Sequence, residues 1–178
     1  GAPVTLSQLK LATRSDHGEL KQIYPVSSSK RVLQAGEYLV CTKDLSAVMA
    51  QYPNNRAESF VAMSSFPSYS DDAGTVVLLN VSQEVIDEFS YTAKMQSPFL
   101  ANEEGVSLER ISLEKPTGDP TNWQSAAESA GFATPGLPNS QTRNETIAKS
   151  KITCEPQAFS PNGDGYNDDL TIHFNLDK

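Results

Sequence analysis

Thr75-Val76-Val77-Leu78-Leu79-Asn80 is an aliphatic, β-branched run, and Val85-Ile86-Asp87-Glu88-Phe89-Ser90-Tyr91 follows it after a short polar break. Branched and aromatic side chains fit the pleated backbone of a strand, so both runs predict β-structure. The stretch from Asn80 to Glu84 is short enough to close them into a hairpin. Val85, Asp87, Phe89 and Tyr91 occupy alternate positions and therefore share one face of the second strand. An isolated hairpin is marginal in water, so flanking segments must supply more strands.

Upstream, residues 32–41 carry Leu33, Tyr38, Leu39 and Val40, with Ala35-Gly36 as a turn. Residues 59–63 form a weaker strand candidate. Between them the period changes: Leu45, Val48, Met49 and Tyr52 stand at i, i+3, i+4 and i+7, which gives one apolar face to a short helix. Thr42 or Asp44 can cap its start, and Pro53 ends it. Downstream, residues 105–112 predict another strand, and residues 116–138 are rich in turn formers. Short strands about 10 residues apart, with one helix inserted, predict an all-β fold, an antiparallel β-sandwich with one short helix.

The chain has 178 residues, of which 38% are hydrophobic and 20% charged, the balance of a globular protein able to bury a core. No run approaches the roughly 18 apolar residues of a membrane-spanning helix, so membrane insertion is not expected. The net charge of −8 opposes nucleic-acid binding, which depends on neutralising phosphates with Lys and Arg. Cys41 and Cys154 are too far apart for a zinc pattern, and are either two thiols or one long-range disulfide.

The character shifts near residue 141. Residues 1–140 hold the sandwich pattern, residues 141–153 are polar and predict a linker, and residues 154–178 open a second module. There Leu170, Ile172, Phe174 and Leu176 alternate with Thr171, His173 and Asn175, the period of a half-buried strand. This run, from Leu170 to Leu176, is also a candidate donor for strand exchange. Just before it, Asn162-Gly163-Asp164-Gly165-Tyr166-Asn167-Asp168-Asp169 has the oxygen-rich alternation of a calcium loop. Asn162, Asp164, the Tyr166 carbonyl and Asp168 would be ligands, with Gly165 at the sharp turn. Ser160 and Thr171 stand where the first and last ligands of a complete loop would be acidic. The competing reading is a turn closed by Asn, Asp and Gly.

Gly105-Val106-Ser107-Leu108-Glu109-Arg110, Asp119-Pro120-Thr121-Asn122-Trp123 and Thr134-Pro135-Gly136-Leu137-Pro138-Asn139 come in an order that resembles the closing half of a lamin-tail domain. Leu33 to Val40 resembles that family's turn and strand, and Val76 to Tyr91 its central hairpin. The resemblance spans about Val4 to Asn139. It implies an immunoglobulin-like β-sandwich, N-terminally truncated because the family's first strands precede the Val4 position. Ala133 departs from the family's usual glycine. Residues 156–170 resemble the start of the C-terminal modules of Bacteroidetes gliding-motility and type IX secretion-associated proteins, which implies export to the cell surface or outside the cell.

Catalytic signatures are weak. His17 and His173 lie at opposite ends, and no nucleophile elbow, metalloprotease pair or phosphate loop occurs. Of Glu109 and Arg110, one is expected to face solvent while Arg110 supports a sheet edge or pairs with a carboxylate. Trp123, the only tryptophan, is expected to plug the end of the core, and Thr134-Pro135-Gly136 to form a stiff turn. The expected role is a noncatalytic interaction or structural module for adhesion or spacing in an exported protein, with an unidentified protein or cell-surface ligand. The alternative is an accessory domain of a secreted hydrolase.

Overall fold

The structure, a computed structural model, describes residues 2–142, 152–156, 160–161, 163 and 168–174. The chain divides into two compact units, Gly1–Arg143 and Asn144–Lys178.

In the first unit the strands are β1 (Val4–Thr5), β2 (Lys10–Arg14), β3 (Leu20–Pro25), β4 (Val32–Leu33), β5 (Val40–Thr42), β6 (Phe60–Ala62), β7 (Ala73–Leu79), β8 (Val85–Thr92), β9 (Leu108–Arg110) and β10 (Trp123–Ser125). One helix, α1 (Leu45–Gln51), joins β5 to β6. The largest sheet runs in the order β3-β2-β7-β8, antiparallel throughout. Its β7–β8 hairpin is the one the central run predicts, with Val76 opposite Phe89 and Leu78 opposite Asp87. β1 pairs with β4 and β9 with β10, both antiparallel.

Helix α1 also forms where the apolar period places it. The Asp44 side chain accepts the Ala47 N–H at 2.9 Å, and Leu45, Val48, Met49 and Tyr52 are its half-buried positions. Its consequence for topology departs from the antiparallel expectation. The chain leaves β5, crosses through α1 and returns at the same end, so β5 and β6 pair in parallel, Val40 opposite Phe60 and Thr42 opposite Ala62. A tight hairpin turn can join only antiparallel strands, whereas a crossover through a helix can bring the next strand back in the same direction. β2 and β3 are strands that the sequence reading did not locate. Within β3, Gln22 takes φ +51° at the register shift against β2, and its Oε1 accepts the Ser68 N–H at 2.6 Å.

The core lies on both faces of the large sheet. On one, Leu6, Leu9 and Val26 are buried, and Leu11 and Leu78 from the sheet and Leu39, Cys41 and Val61 from outside it pack against them. On the other, Ala12, Val77 and Leu79 are wholly buried under Leu20 and Ile23. Each fully buried Leu or Val contributes about 1.5–3 kcal/mol relative to exposure. Both Cys41 and Cys154 are free thiols.

The second unit contains β11 (Ile152–Glu155) and β12 (Thr171–Phe174), antiparallel with Cys154 opposite Ile172. The reading placed a single strand here and ran the linker to residue 153; β11 begins inside that stretch. Among the described residues, β12 pairs only with β11. Leu170, just before β12, and Ile172 and Phe174 on it are exposed rather than half-buried. Leu176 lies outside the described residues.

Candidate functional site: an acidic-rimmed aromatic cleft

The β7–β8 hairpin turns Val76, Leu78, Phe89 and Tyr91 toward the same side, since each is two residues from the next on its strand. Leu78 packs against the core on one side, and it, Val76, Phe89 and Tyr91 all border a cleft of about 870 Å³. Val106, Leu108 and Trp123 supply the opposite wall. The aromatic junction is the stack of Phe89 on Trp123, with ring centroids 3.7 Å apart and planes inclined by 17°. The indole is held from behind, where its Nε1–H donates to Thr117 O at 2.8 Å. Trp123 is thus half-buried, with part of its surface on a cavity wall.

Tyr91 lies across Gly74, its partner on β7, and donates its hydroxyl to Ser70 O at 2.6 Å. Gly74 is required there: a Cβ would stand 2.7 Å from the Tyr91 Oη and 3.0 Å from the ring. Burial pushes the Tyr91 phenol upward, with the nearby Asp71 charge adding to it. Tyr69, also on the wall, donates to Ala12 O at 3.1 Å. Burial pushes its phenol up to about 12, with smaller contributions from Tyr91 and Cys41.

The far wall is pinned by hydrogen bonds. Tyr52 at the end of α1 donates to Gly105 O at 2.7 Å, and Gln96 Nε2 donates to Val106 O at 2.9 Å. Gly105 takes φ +77°, and a Cβ there would meet Gln51 Nε2 at 2.9 Å, so glycine lets the loop approach α1. Ser125 donates its hydroxyl to Gln96 Oε1 at 2.5 Å and accepts the Ser97 N–H at 2.8 Å.

Charge on the rim has one sign. Asp71, Asp87, Glu88, Glu103 and Glu104 border the cleft, and none of the described residues lining it is basic. Arg14 engages Glu88 at 2.7 Å, and Thr117 donates to Asp87 at 2.8 Å. Asp71, Glu103 and Glu104 are exposed and form no salt bridge among the described residues. Such a surface can hold an apolar group against the rings while attracting positive charge at the mouth.

The residues singled out in the sequence are distributed differently. Asn162, Asp164 and Tyr166 lie outside the described residues. Asp168 Oδ1 accepts the Gly163 N–H at 2.8 Å. His17 and His173 are both exposed. Of Glu109 and Arg110, Glu109 departs from the expectation, while Arg110 is half-buried and supports the backbone beside β9. Glu109 is buried at 3% exposure and accepts from Thr134 Oγ1 at 2.5 Å, Ser140 Oγ at 2.6 Å and Gln141 N at 3.2 Å. Arg110 binds carbonyls instead of a carboxylate, donating to Ser112 O at 3.1 Å and Lys115 O at 2.5 Å. The Thr134-Pro135-Gly136 turn forms as expected: Leu137 N–H donates to Thr134 O at 3.1 Å with Gly136 at φ +72°.

Two elements of the site were missed: the cleft itself and Asn122. The amide of Asn122 is wholly buried, donating to Ser112 O and accepting from Ser112 N, each at 2.9 Å, and so fixes the loop that carries Thr117. The alternation of Asp87, Phe89 and Tyr91 was the available signal for the cleft, since an acidic group interrupts an otherwise aromatic face.

No protein-family model, curated protein or solved structure matches this chain.

Proposed function

We propose that this chain is a noncatalytic interaction module of an exported or cell-surface protein, and that it takes its partner in the cleft beside β8. The supporting observation is the cleft's composition: a stacked Phe89–Trp123 pair and aliphatic walls under a rim of carboxylates. Its volume of about 870 Å³ falls in the range of sites that enclose a ligand of several hundred daltons. The lamin-tail-like segments support an immunoglobulin-like sandwich as its frame, and the gliding-module-like tail supports an exported setting. The net charge of −8 favours partners other than nucleic acid. No helix among the described residues is long and apolar enough to cross a membrane.

The test is a random-peptide display selection on the full chain, with the emission of Trp123 as readout. Trp123 is the only tryptophan, so a cleft ligand must alter that signal as it saturates. Selected ligands that bind tightly and leave Trp123 unperturbed would place recognition elsewhere and overturn the reading.

A further inference from the structure

We infer that the cleft's partner is an extended peptide bearing lysine or arginine at alternate positions, added as a strand to the outer edge of β8. This rests on the reading of the cleft as a recognition site, and it specifies the ligand.

β8 ends the order β3-β2-β7-β8, and no strand pairs with its outer side among the described residues. The phase of its ladder follows from the Ala93 N–H, which donates to Asp72 O at 2.7 Å. Hydrogen-bonded and open pairs alternate in an antiparallel ladder. Tyr91, Phe89 and Asp87 therefore bond toward β7, while Thr92, Ser90 and Glu88 turn their backbone groups outward. The Glu88 N–H is taken by Asp87 Oδ1 at 3.0 Å, so Ser90 and Thr92 form the more open part of the edge.

A strand placed there pairs backbone to backbone, and the residues opposite Asp87, Phe89 and Tyr91 project on the cleft side. Those side chains would meet the faces of Phe89 and Trp123 and the carboxylates of Asp71, Glu103 and Glu104. Lysine and arginine match both surfaces, because an apolar stem lies along the rings and a cationic head reaches the rim. A carboxylate at the same position would be repelled.

The test uses the full chain and blocked synthetic heptapeptides with lysine at every second position, together with glutamine, glutamate and backbone N-methylated lysine analogues. Emission of Trp123 is followed against each. The lysine peptide should saturate with an affinity about tenfold or more above the glutamine analogue, and the glutamate analogue should not bind. Combined Glu103→Gln and Glu104→Gln, in an exposed loop, should erase most of that preference while leaving the melting temperature unchanged. N-methylation should weaken binding by about tenfold or more, since it removes the edge hydrogen bonds.

Equal binding of the lysine and glutamine peptides overturns the charge inference while the cleft reading survives. Equal binding of the N-methylated peptide overturns strand addition, as does saturation by a blocked single lysine with the same affinity. If no peptide of the set binds, the inference fails. The recognition reading fails with it only if the unbiased selection also yields no ligand that perturbs Trp123.

Discussion

One face of the large sheet is treated in two ways along its length. Around Leu11 it is sealed: Leu6, Leu9 and Val26 fill the layer, and Leu39, Cys41 and Val61 close it. On β7, Leu78 touches both that cluster and a cleft, and Val76, two residues earlier, meets the cleft beside Phe89, Tyr91 and Trp123. The side-chain period is the same at both ends. What differs is the covering material, compact aliphatic chains at one end and rigid rings held by hydrogen bonds at the other. Aliphatic chains interdigitate and leave no room, whereas rings pinned by Thr117 O and Ser70 O stand as walls. One end of the face serves stability and the other remains available for recognition.

The most direct way to break this comparison is to truncate both ends. Leu6→Ala removes a wholly buried side chain from the sealed end and should cost about 3 kcal/mol in urea unfolding. Val76→Ala, on the cleft wall, should cost about 1 kcal/mol, because cleft-facing surface is already hydrated. Comparable losses at the two sites would mean that the cleft end is as tightly packed as the core.

A second contrast lies between the neighbours Glu109 and Arg110. Glu109→Ala deprives Thr134, Ser140 and the Gln141 N–H of their shared acceptor and should cost about 2 kcal/mol, with earlier proteolysis near residue 140 as a further readout. Thr134→Val, which removes one donor, should cost about 1 kcal/mol. Alternation along a strand says only that adjacent charges face opposite ways. It does not say which way is inward, and the partners that decide lie 25 to 32 residues downstream.

The same limit explains the rest of what was and was not legible. The β7–β8 hairpin, α1 and the Thr134-Pro135-Gly136 turn were readable because local period and turn chemistry determine them. β2 was not, since Lys10 and Arg14 flank the small Ala12 and mask a strand whose centre is wholly buried. Lys10 and Arg14 are satisfied across the sheet by Val81 O and Glu88, partners more than 70 residues away. The parallel β5–β6 pair was hidden similarly: α1 was visible, but the place where its crossover returns depends on tertiary packing. The cleft is a space between segments distant in sequence, and no single segment encodes it.

Alkaline pH sharpens the comparison, because a titrating group marks each end. Burial against the sealed cluster raises the Cys41 thiol from 9.0 to about 11, and burial beside the cleft raises the Tyr69 phenol from 10.0 to about 12. Both folded values lie above the unfolded ones. Each group's stabilising contribution is therefore complete below the unfolded pKa and is lost as pH rises through the folded value. Stability should begin to fall above pH 9, through Cys41, and fall more steeply above pH 10, when Tyr69 joins. Cys41→Ala should remove the first part of that decline and Tyr69→Phe the second, measured as urea midpoints between pH 8 and about 11. A decline untouched by either substitution would assign the pH dependence to other groups.

The smallest effect concerns the ion pair between Arg14 and Glu88. Arg14 Nε and Nη2 both donate to Glu88 Oε2, at 2.9 and 2.7 Å, while Nη1 donates to Gly18 O at 2.7 Å. Side-chain exposure is 28% for Arg14 and 44% for Glu88, so water screens the attraction and competes for both groups. Glu88→Gln should therefore cost no more than about 0.5 kcal/mol, and a double-mutant cycle with Arg14→Gln should give a coupling of similar size. Glu88 also borders the cleft, which makes the pair informative beyond stability. With Glu88 engaged by Arg14, its removal should leave the affinity for a cationic peptide almost unchanged, whereas neutralising Glu103 and Glu104 should lower it. A larger loss on Glu88→Gln than on the Glu103 and Glu104 substitutions would move the recognition charge from the loop to the strand. Arg14 would then act as a competitor that the ligand must displace.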